Sequence, residues 1–343
     1  MRAAYFNEHG GKEKIVLGDL PVPKPRAGEV LIQVYYSAVN HLDLWVREGW
    51  PGLKKFFPHI LGGDASGVVV ESGEGAFQFK KGDPVIVHPG VSCGHCQNCL
   101  GGWESLCSQY AILGEQICGT HAEFICVPQE NLFLKPERVS FVEAAAIPLV
   151  FTTAWQMLIK RAHLKSGDKV LIHGAGSGVS SAAIQIAKLF GAIVAVTSTH
   201  EDKLLKAKTL GADFLINSSR EDFSKTVKQY WQTGPDIILD HVGEAFWEKN
   251  IKCLRTGGTL VTCGATGGGK GTTDLKHLFF RQLSLLGSTM GNKSDFSEIL
   301  KYVDLGRLKA VVDREFGLDE VAKAHDYLES QKQFGKVMIK VLT

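Results

Sequence analysis

Four of the eight cysteines fall in one short stretch: Cys93, Cys96, Cys99 and Cys107, spaced C-x2-C-x2-C-x7-C among Gly94, Gly101 and Gly102. A two-residue gap brings neighbouring sulfurs to the same centre, and four thiolates fill the coordination sphere of a tetrahedral ion. The chemistry expected is one structural zinc with no open position for a substrate. Four reduced, buried cysteines are the plainer alternative, and a disulfide pair fits a reducing compartment poorly. Cys118, Cys126, Cys253 and Cys263 have no partner at ligand spacing, and at least three of them read as small buried hydrophobes. Cys263, closing an apolar run beside Gly264, is placed to line a pocket.

The second chemical signal is a glycine-rich turn. The apolar run Lys169–Ile172 is followed by His173-Gly174-Ala175-Gly176-Ser177-Gly178. Val179, Ala182, Ala183, Ile186, Ala187 and Phe190 then recur at helical spacing until Gly191 stops the helix. Strand, glycine turn and helix expose backbone N–H groups and a helix N-terminus, which is what a pyrophosphate binds. The fingerprint is imperfect, because the third glycine of G-x-G-x-x-G falls on Val179 or on Ser181, depending on the starting glycine.

The elements around this turn carry the case. Apolar runs at 193–197, 214–216, 237–240 and 259–262, with a further one at 283–286, alternate with helical patterns ending near Leu210, Trp231 and Leu254. Such alternation implies a doubly wound parallel sheet with helices on both faces, and a dinucleotide site at its first turn. At the end of the second strand an NAD site usually carries an acid. Here the chain reads Thr197-Ser198-Thr199-His200 before Glu201. Ser198 leaves room for a 2′-phosphate, and His200 and Lys203 are placed to meet its charge. NADPH is therefore expected over NADH, with a solvated Lys203 as the alternative.

A chain of 343 residues is long enough for two domains, and with 44% hydrophobic and 22% charged residues it is ordinary globular material. Its 38 basic and 36 acidic residues leave +2, which offers no electrostatic footprint for nucleic acid or an anionic membrane. With no apolar run of spanning length and no signal-peptide pattern at Met1–Glu8, a soluble cytoplasmic protein is expected. Glycines, 38 against 11 prolines, gather at the ends of apolar runs, as many strand-to-helix turns require.

Together these residues resemble the medium-chain dehydrogenase/reductase superfamily, which includes zinc-type alcohol dehydrogenases and quinone oxidoreductases. The resemblance extends to Gly28-Glu29-Val30-Leu31-Ile32, to 61–69 (Leu-Gly-Gly-Asp-Ala-Ser-Gly-Val-Val), to Lys81-Gly82-Asp83-Pro84-Val85, to Gly257-Gly258-Thr259 and to Gly335-Lys336-Val337. It implies an α/β architecture. A β-rich GroES-like catalytic domain would take residues 1–150 and 287–343, with the zinc lobe at about 90–110, and a Rossmann domain would take 151–286. The active site would lie in the cleft between them, and the protein would be a homodimer or homotetramer.

The resemblance also marks a departure. Where alcohol dehydrogenases hold a catalytic zinc by Cys, His and Cys, this chain has Asn40, then Gly62-Gly63-Asp64 in place of Gly-His-Glu, then Leu149; the alcohol-binding Ser/Thr is Leu42. His41, Asp43, His59 and Asp64 are the residues from which an atypical metal site would have to be built. Without a metal, a conjugated acceptor such as a quinone or α,β-unsaturated carbonyl is the easier substrate, because its developing charge delocalises. Asn40 is then the candidate to polarise the carbonyl, Asp43 to orient nearby loops, and Trp45, Trp50 and Phe56 to supply apolar walls or core. Around the cofactor the resemblance places His41 on the pyrophosphate and Thr153 at the carboxamide. Val242 and Gly243 pass beneath it, Cys263-Gly264-Ala265 and Thr289-Met290-Gly291 close over the nicotinamide, and Lys336 approaches from the returning tail. An alcohol dehydrogenase with an atypical zinc site is the runner-up, and a nucleotide-sensing protein without turnover is a third reading.

Overall fold

The computed structural model describes residues 1–50, 52–53 and 56–342. It divides into two compact units, one formed by Met1–Thr152 with Gly291–Thr343 and the other by Thr153–Met290.

The first unit is built on the strand Glu29–Val39, whose near-continuous apolar sequence suits a strand covered on both faces. It pairs antiparallel with Asp64–Ser72 on one side and with Lys336–Lys340 on the other, and Phe124–Pro128 also joins it. Pro84–Val87 and Leu132–Leu134 extend the sheet at one edge, and Val312–Gly317 at the other. Gly67 is required where two of these strands close up, because a Cβ there would stand 1.9 Å from the Gln33 carbonyl oxygen. Val30, Ile32, Val34, Val69, Val85, Val127, Val337 and Ile339 fill the core, with Val321, Ala324 and Leu328 of the helix Val321–Glu329 laid across it. The tail is thus built into the sheet through Lys336–Lys340.

The second unit carries six parallel strands. In spatial order they are Phe214–Asn217, Ile193–Ser198, Lys169–Ile172, Ile237–Asp240, Thr259–Thr262 and Ser284–Gly287. Chain order therefore reverses between the first and fourth strands, the point where parallel sheets of this kind open a ligand crevice. The helix Gly178–Leu189 starts at Ser177, whose hydroxyl accepts the Ser180 N–H, and buries Ala182, Ala183, Ile186 and Ala187. Under the sheet, Leu171, Ala195, Ile238 and Leu260 pack with Phe223, Val227, Trp231 and Ile251. His173 belongs to this core. Its Nδ1 lies 3.0 Å from Thr197 Oγ1 and its Nε2 2.7 Å from Asn250 Oδ1. Burial lowers its pKa to about 3, so the ring is neutral. Among the described residues no helix is long and apolar enough to cross a membrane.

Candidate active site and cysteine lobe

Sheet register assembles the polar cluster of the first unit. Asp64 opens its strand opposite Ala38, and Val337 lies opposite Val39. The side chains of Asp64, Lys336 and Asn40, the residue after Val39, therefore meet at one end of three neighbouring strands. Lys336 Nζ donates to Asp64 Oδ2 at 2.9 Å, to Asn40 Oδ1 at 2.5 Å and to the Val39 carbonyl at 3.3 Å. Asn40 Nδ2 donates to the same Asp64 oxygen at 2.9 Å, while Asp64 Oδ1 accepts the Leu149 N–H at 2.7 Å. All three hydrogens of the ammonium are engaged within this unit. The structure thus gives Lys336, expected to approach a cofactor, an acid and an amide as partners within this unit.

Asp43 sits in the first turn of the helix His41–Glu48 and accepts the N–H groups of Asn40 (2.7 Å) and Gly62 (2.8 Å). It ties the loop before the helix to the turn before the Asp64 strand. Desolvation pushes its pKa up to about 6, with the nearby Asp64 adding to the rise and the two N–H groups and Lys336 opposing it. Asp43 is a brace, with both carboxylate oxygens occupied by backbone. Beneath the cluster, Thr120 Oγ1 donates to the Asp64 carbonyl and lies 2.6 Å from Ser37 Oγ, which is 2.9 Å from His121 Nδ1. Sequence reasoning missed this support. Ser37, Thr120 and His121 sit at no motif spacing, and only register brings them under Asp64.

The positions where the resemblance expects catalytic zinc ligands do not fit a metal. Asn40 offers a neutral amide, Gly63 offers no side chain and Leu149 is apolar, while Asp64 is held by an ammonium. The alternative set is not gathered either. His59 Nε2 pairs with the Gly114 carbonyl at 3.0 Å, the His41 ring packs 6.4 Å from Trp45, and Asp43 is occupied as described. Trp50 and Phe56 are exposed rather than core.

The lobe does fit one. Among the described residues, Cys93, Cys96, Cys99 and Cys107 are the one group of three or more His, Cys, Asp or Glu placed to hold an ion, with all four sulfurs within 4.8 Å of one another. Sulfur pairs at 3.5, 3.5 and 3.8 Å approach the edge of about 3.8 Å that a tetrahedron with zinc–sulfur bonds of about 2.3 Å requires. The N–H groups of His95 and Cys96 lower the Cys93 thiol to about 6, whereas Cys96 is pushed up to about 11 against the Cys99 N–H by its thiol neighbours, so the geometry of the four sulfurs rather than their acidity carries the fit. Of the remaining cysteines Cys253 is buried as expected, whereas Cys126 and Cys263 are half-buried and Cys118 is exposed. Cys118 stands outside the cores because it follows a surface turn rather than an apolar run.

In the second unit the glycine turn fits a dinucleotide phosphate. Gly174 has φ +63°, and a Cβ there would stand 2.8 Å from the His241 ring. Gly176 lies in the same turn, and Gly178 and Val179 open a twelve-residue helix, where N–H groups have no intrahelical acceptor. Ser181, at the third fingerprint position, is accommodated because its Oγ donates back to the Gly178 carbonyl at 2.8 Å. Ser198 ends the second strand and accepts the His200 N–H; His200 is exposed and Lys203 is buried rather than solvated. Glu201, the first acid after that strand, is drawn off by Asn217 Nδ2 at 3.0 Å.

At the fourth strand's end, Asp240 accepts the N–H groups of Val242 and Gly243. Cys263, Gly264 and Ala265 follow the fifth strand, and the Cys263 N–H returns to the Asp240 carbonyl. Thr153 Oγ1 lies 3.9 Å from Met290 Sδ, and Met290 is held at φ +47°, a costly conformation of the kind that clusters at functional sites. Thr289 is exposed beside it, and Gly291, which is buried, opens the return into the first unit.

Residues 26–137 match the alcohol dehydrogenase GroES-like domain and residues 178–304 the zinc-binding dehydrogenase domain. The chain is 32% identical to an NAD-dependent alcohol dehydrogenase of Sulfolobus acidocaldarius, over 99% of this chain and 100% of that one. It is 29% identical to a quinone oxidoreductase of Pongo abelii, over 95% and 93%. A crystal structure described as an NAD-dependent alcohol dehydrogenase superposes with TM-score 0.96 at 47% identity, covering both chains completely. With both domain families matched in order and whole-length relatives on two of its branches, the chain belongs to the medium-chain dehydrogenase/reductase superfamily of oxidoreductases.

Proposed function

We propose that this protein is an NADPH-dependent reductase of quinones or α,β-unsaturated carbonyls, with a structural zinc in its cysteine lobe and no catalytic one. The observation that carries the reading is the buried Asn40–Asp64–Lys336 cluster. It puts an amide, an ammonium and an apolar Leu149 where a metal would need thiolates and an imidazole. A bound nicotinamide supplies the hydride. The chain's own part is to hold the acceptor oxygen, where negative charge develops, against the amide N–H of Asn40. A simple aldehyde gains too little from one such donor, whereas a conjugated acceptor spreads its charge. NADPH is favoured by Ser198 at the strand end, by His200 and Lys203 near it, and by Glu201 being held on Asn217. A cytoplasmic setting suits the reduced cysteine lobe.

The test is zinc per chain by elemental mass spectrometry, together with reduction of a quinone and an enone before and after chelation. About one zinc, with reduction unaffected by a chelator that leaves the lobe filled, is the expected result. The names of several relatives favour a second reading, an alcohol dehydrogenase with an atypical zinc site. About two zinc ions per chain and chelator-sensitive alcohol oxidation would establish it instead.

A further inference from the structure

A primary amide is a donor at one end and an acceptor at the other, and a half-turn exchanges the two. At Asn40 that half-turn is blocked. The ammonium of Lys336 can only donate and faces Oδ1, while the carboxylate of Asp64 can only accept and faces Nδ2. Turned over, the amide would set its NH2 against the ammonium and its oxygen against the carboxylate. Asn40 is also the N-cap of the helix His41–Glu48, where an asparagine side chain ordinarily accepts a helix N–H. At the same cap Asp43 returns its carboxylate to the Asn40 N–H at 2.7 Å, which fixes the backbone from which the amide projects. Among the described residues the Nδ2 group, with two hydrogens, has one partner, and Asn40 is the least buried member of the cluster, 7% exposed against 3% for Lys336 and 0% for Asp64.

We propose that the Lys336–Asp64 ion pair is a positioning device that reads the polarity of the Asn40 amide and holds it one way round, leaving one N–H to be offered to a substrate oxygen. Lys336 then acts through Asn40 and touches neither substrate nor cofactor. The site becomes selective for ligands that bring an acceptor, such as a carbonyl or quinone oxygen. This rests on the reductase reading given above for the role of Asn40, but the orientation of the amide does not depend on it.

A neutron structure of the deuterium-exchanged protein is the direct test. Both amide deuterons should lie on the atom facing Asp64; deuterons facing Lys336 would overturn the proposal whatever the enzyme reduces. Kinetics give the second arm. Asn40→Leu should lower kcat/KM for an enone on the order of 100-fold, as loss of one oxyanion donor does. Lys336→Met should lower it by about tenfold or more through kcat, and Lys336→Arg should recover most of that loss. Adding Lys336→Met to Asn40→Leu should cost nothing further. Lys336→Met/Asp64→Asn, which leaves no unpaired buried charge, should show the same kcat loss if the single variant folds poorly. NADPH affinity, read from nicotinamide fluorescence, should be unchanged in Lys336→Met. Additive losses or a weakened NADPH complex would mean that Lys336 acts on its own or on the cofactor, and would overturn the inference. Full enone reduction by Asn40→Leu would instead sink the role given to Asn40 as the donor to the acceptor oxygen, and leave the neutron result to decide the lock.

Discussion

Lys336 Nζ lies 2.9 Å from Asp64 Oδ2 although 272 residues separate them, and both side chains are almost wholly removed from water, 4% and 0% exposed. Removing one member of such a pair leaves a buried charge without compensation. Asp64→Ala should therefore destabilise the protein by about 3–5 kcal/mol in urea unfolding, and Asp64→Ala/Lys336→Met should recover part of that. A loss of less than about 1 kcal/mol would show that the pair does not help hold the tail strand.

The cysteine lobe has few apolar residues of its own to bury, since Leu100 and Leu106 are exposed. Its order should depend on the metal. Cys93→Ser or Cys107→Ser is expected to release the zinc and lower Tm by several degrees, on the order of 5 °C. Retention of a full equivalent of zinc by either variant would show that the lobe is not the site.

Acid should unfold this protein through its buried histidines. Burial lowers His88, His121 and His173 to about 3 from the ordinary 6.5. The unfolded chain therefore binds more protons over that window. The stability from their neutral forms is whole above pH 6.5 and is lost as pH falls towards 3. Asp43 and Asp240, raised by burial from 3.8 to about 6, act the other way, penalising the fold above 6 and less so as pH falls to 3.8. Three larger shifts outweigh two smaller ones, so the urea midpoint should fall between about pH 7 and about pH 5. A flat or rising midpoint would contradict this.

Cofactor choice should turn on the end of the second strand. Ser198→Asp sets a carboxylate where the 2′-phosphate is proposed to lie, and should raise KM for NADPH about tenfold or more while sparing NADH. Wild-type preference for NADH, or an equal effect on both cofactors, would remove the basis for the NADPH assignment.

The strand Ser284–Gly287 ends its sheet, and Leu275, Phe279 and Phe280 are exposed on the helix preceding it. An open sheet edge beside exposed apolar side chains invites pairing with a second copy. Sedimentation should give at least a dimer, and Phe279→Ser/Phe280→Ser should shift it towards monomer. A monomeric wild type would refute the assignment.

The parallel sheet was legible in the amino-acid sequence because it is written locally. Apolar runs such as Lys169–Ile172 and Ile237–Asp240 are bounded by glycine turns, and the helix after Ser177 shows its periodicity within a dozen residues. The cysteine lobe was legible for the same reason, since its four sulfurs lie on one short stretch. The absence of the usual zinc ligands at Asn40, Gly63 and Leu149 could also be read residue by residue. What pairs with what at that place could not. Lys336 was expected to face a cofactor, and Asp64 was one of several loose acids. Nothing local couples position 64 to position 336. Their meeting follows from the two strands that flank Glu29–Val39 and from the register of each pairing, which puts both side chains at the same end of the sheet. Hydrophobic period is a property of neighbours in the chain. The partner of a buried charge is a property of neighbours in space, and here only the folded sheet supplies it.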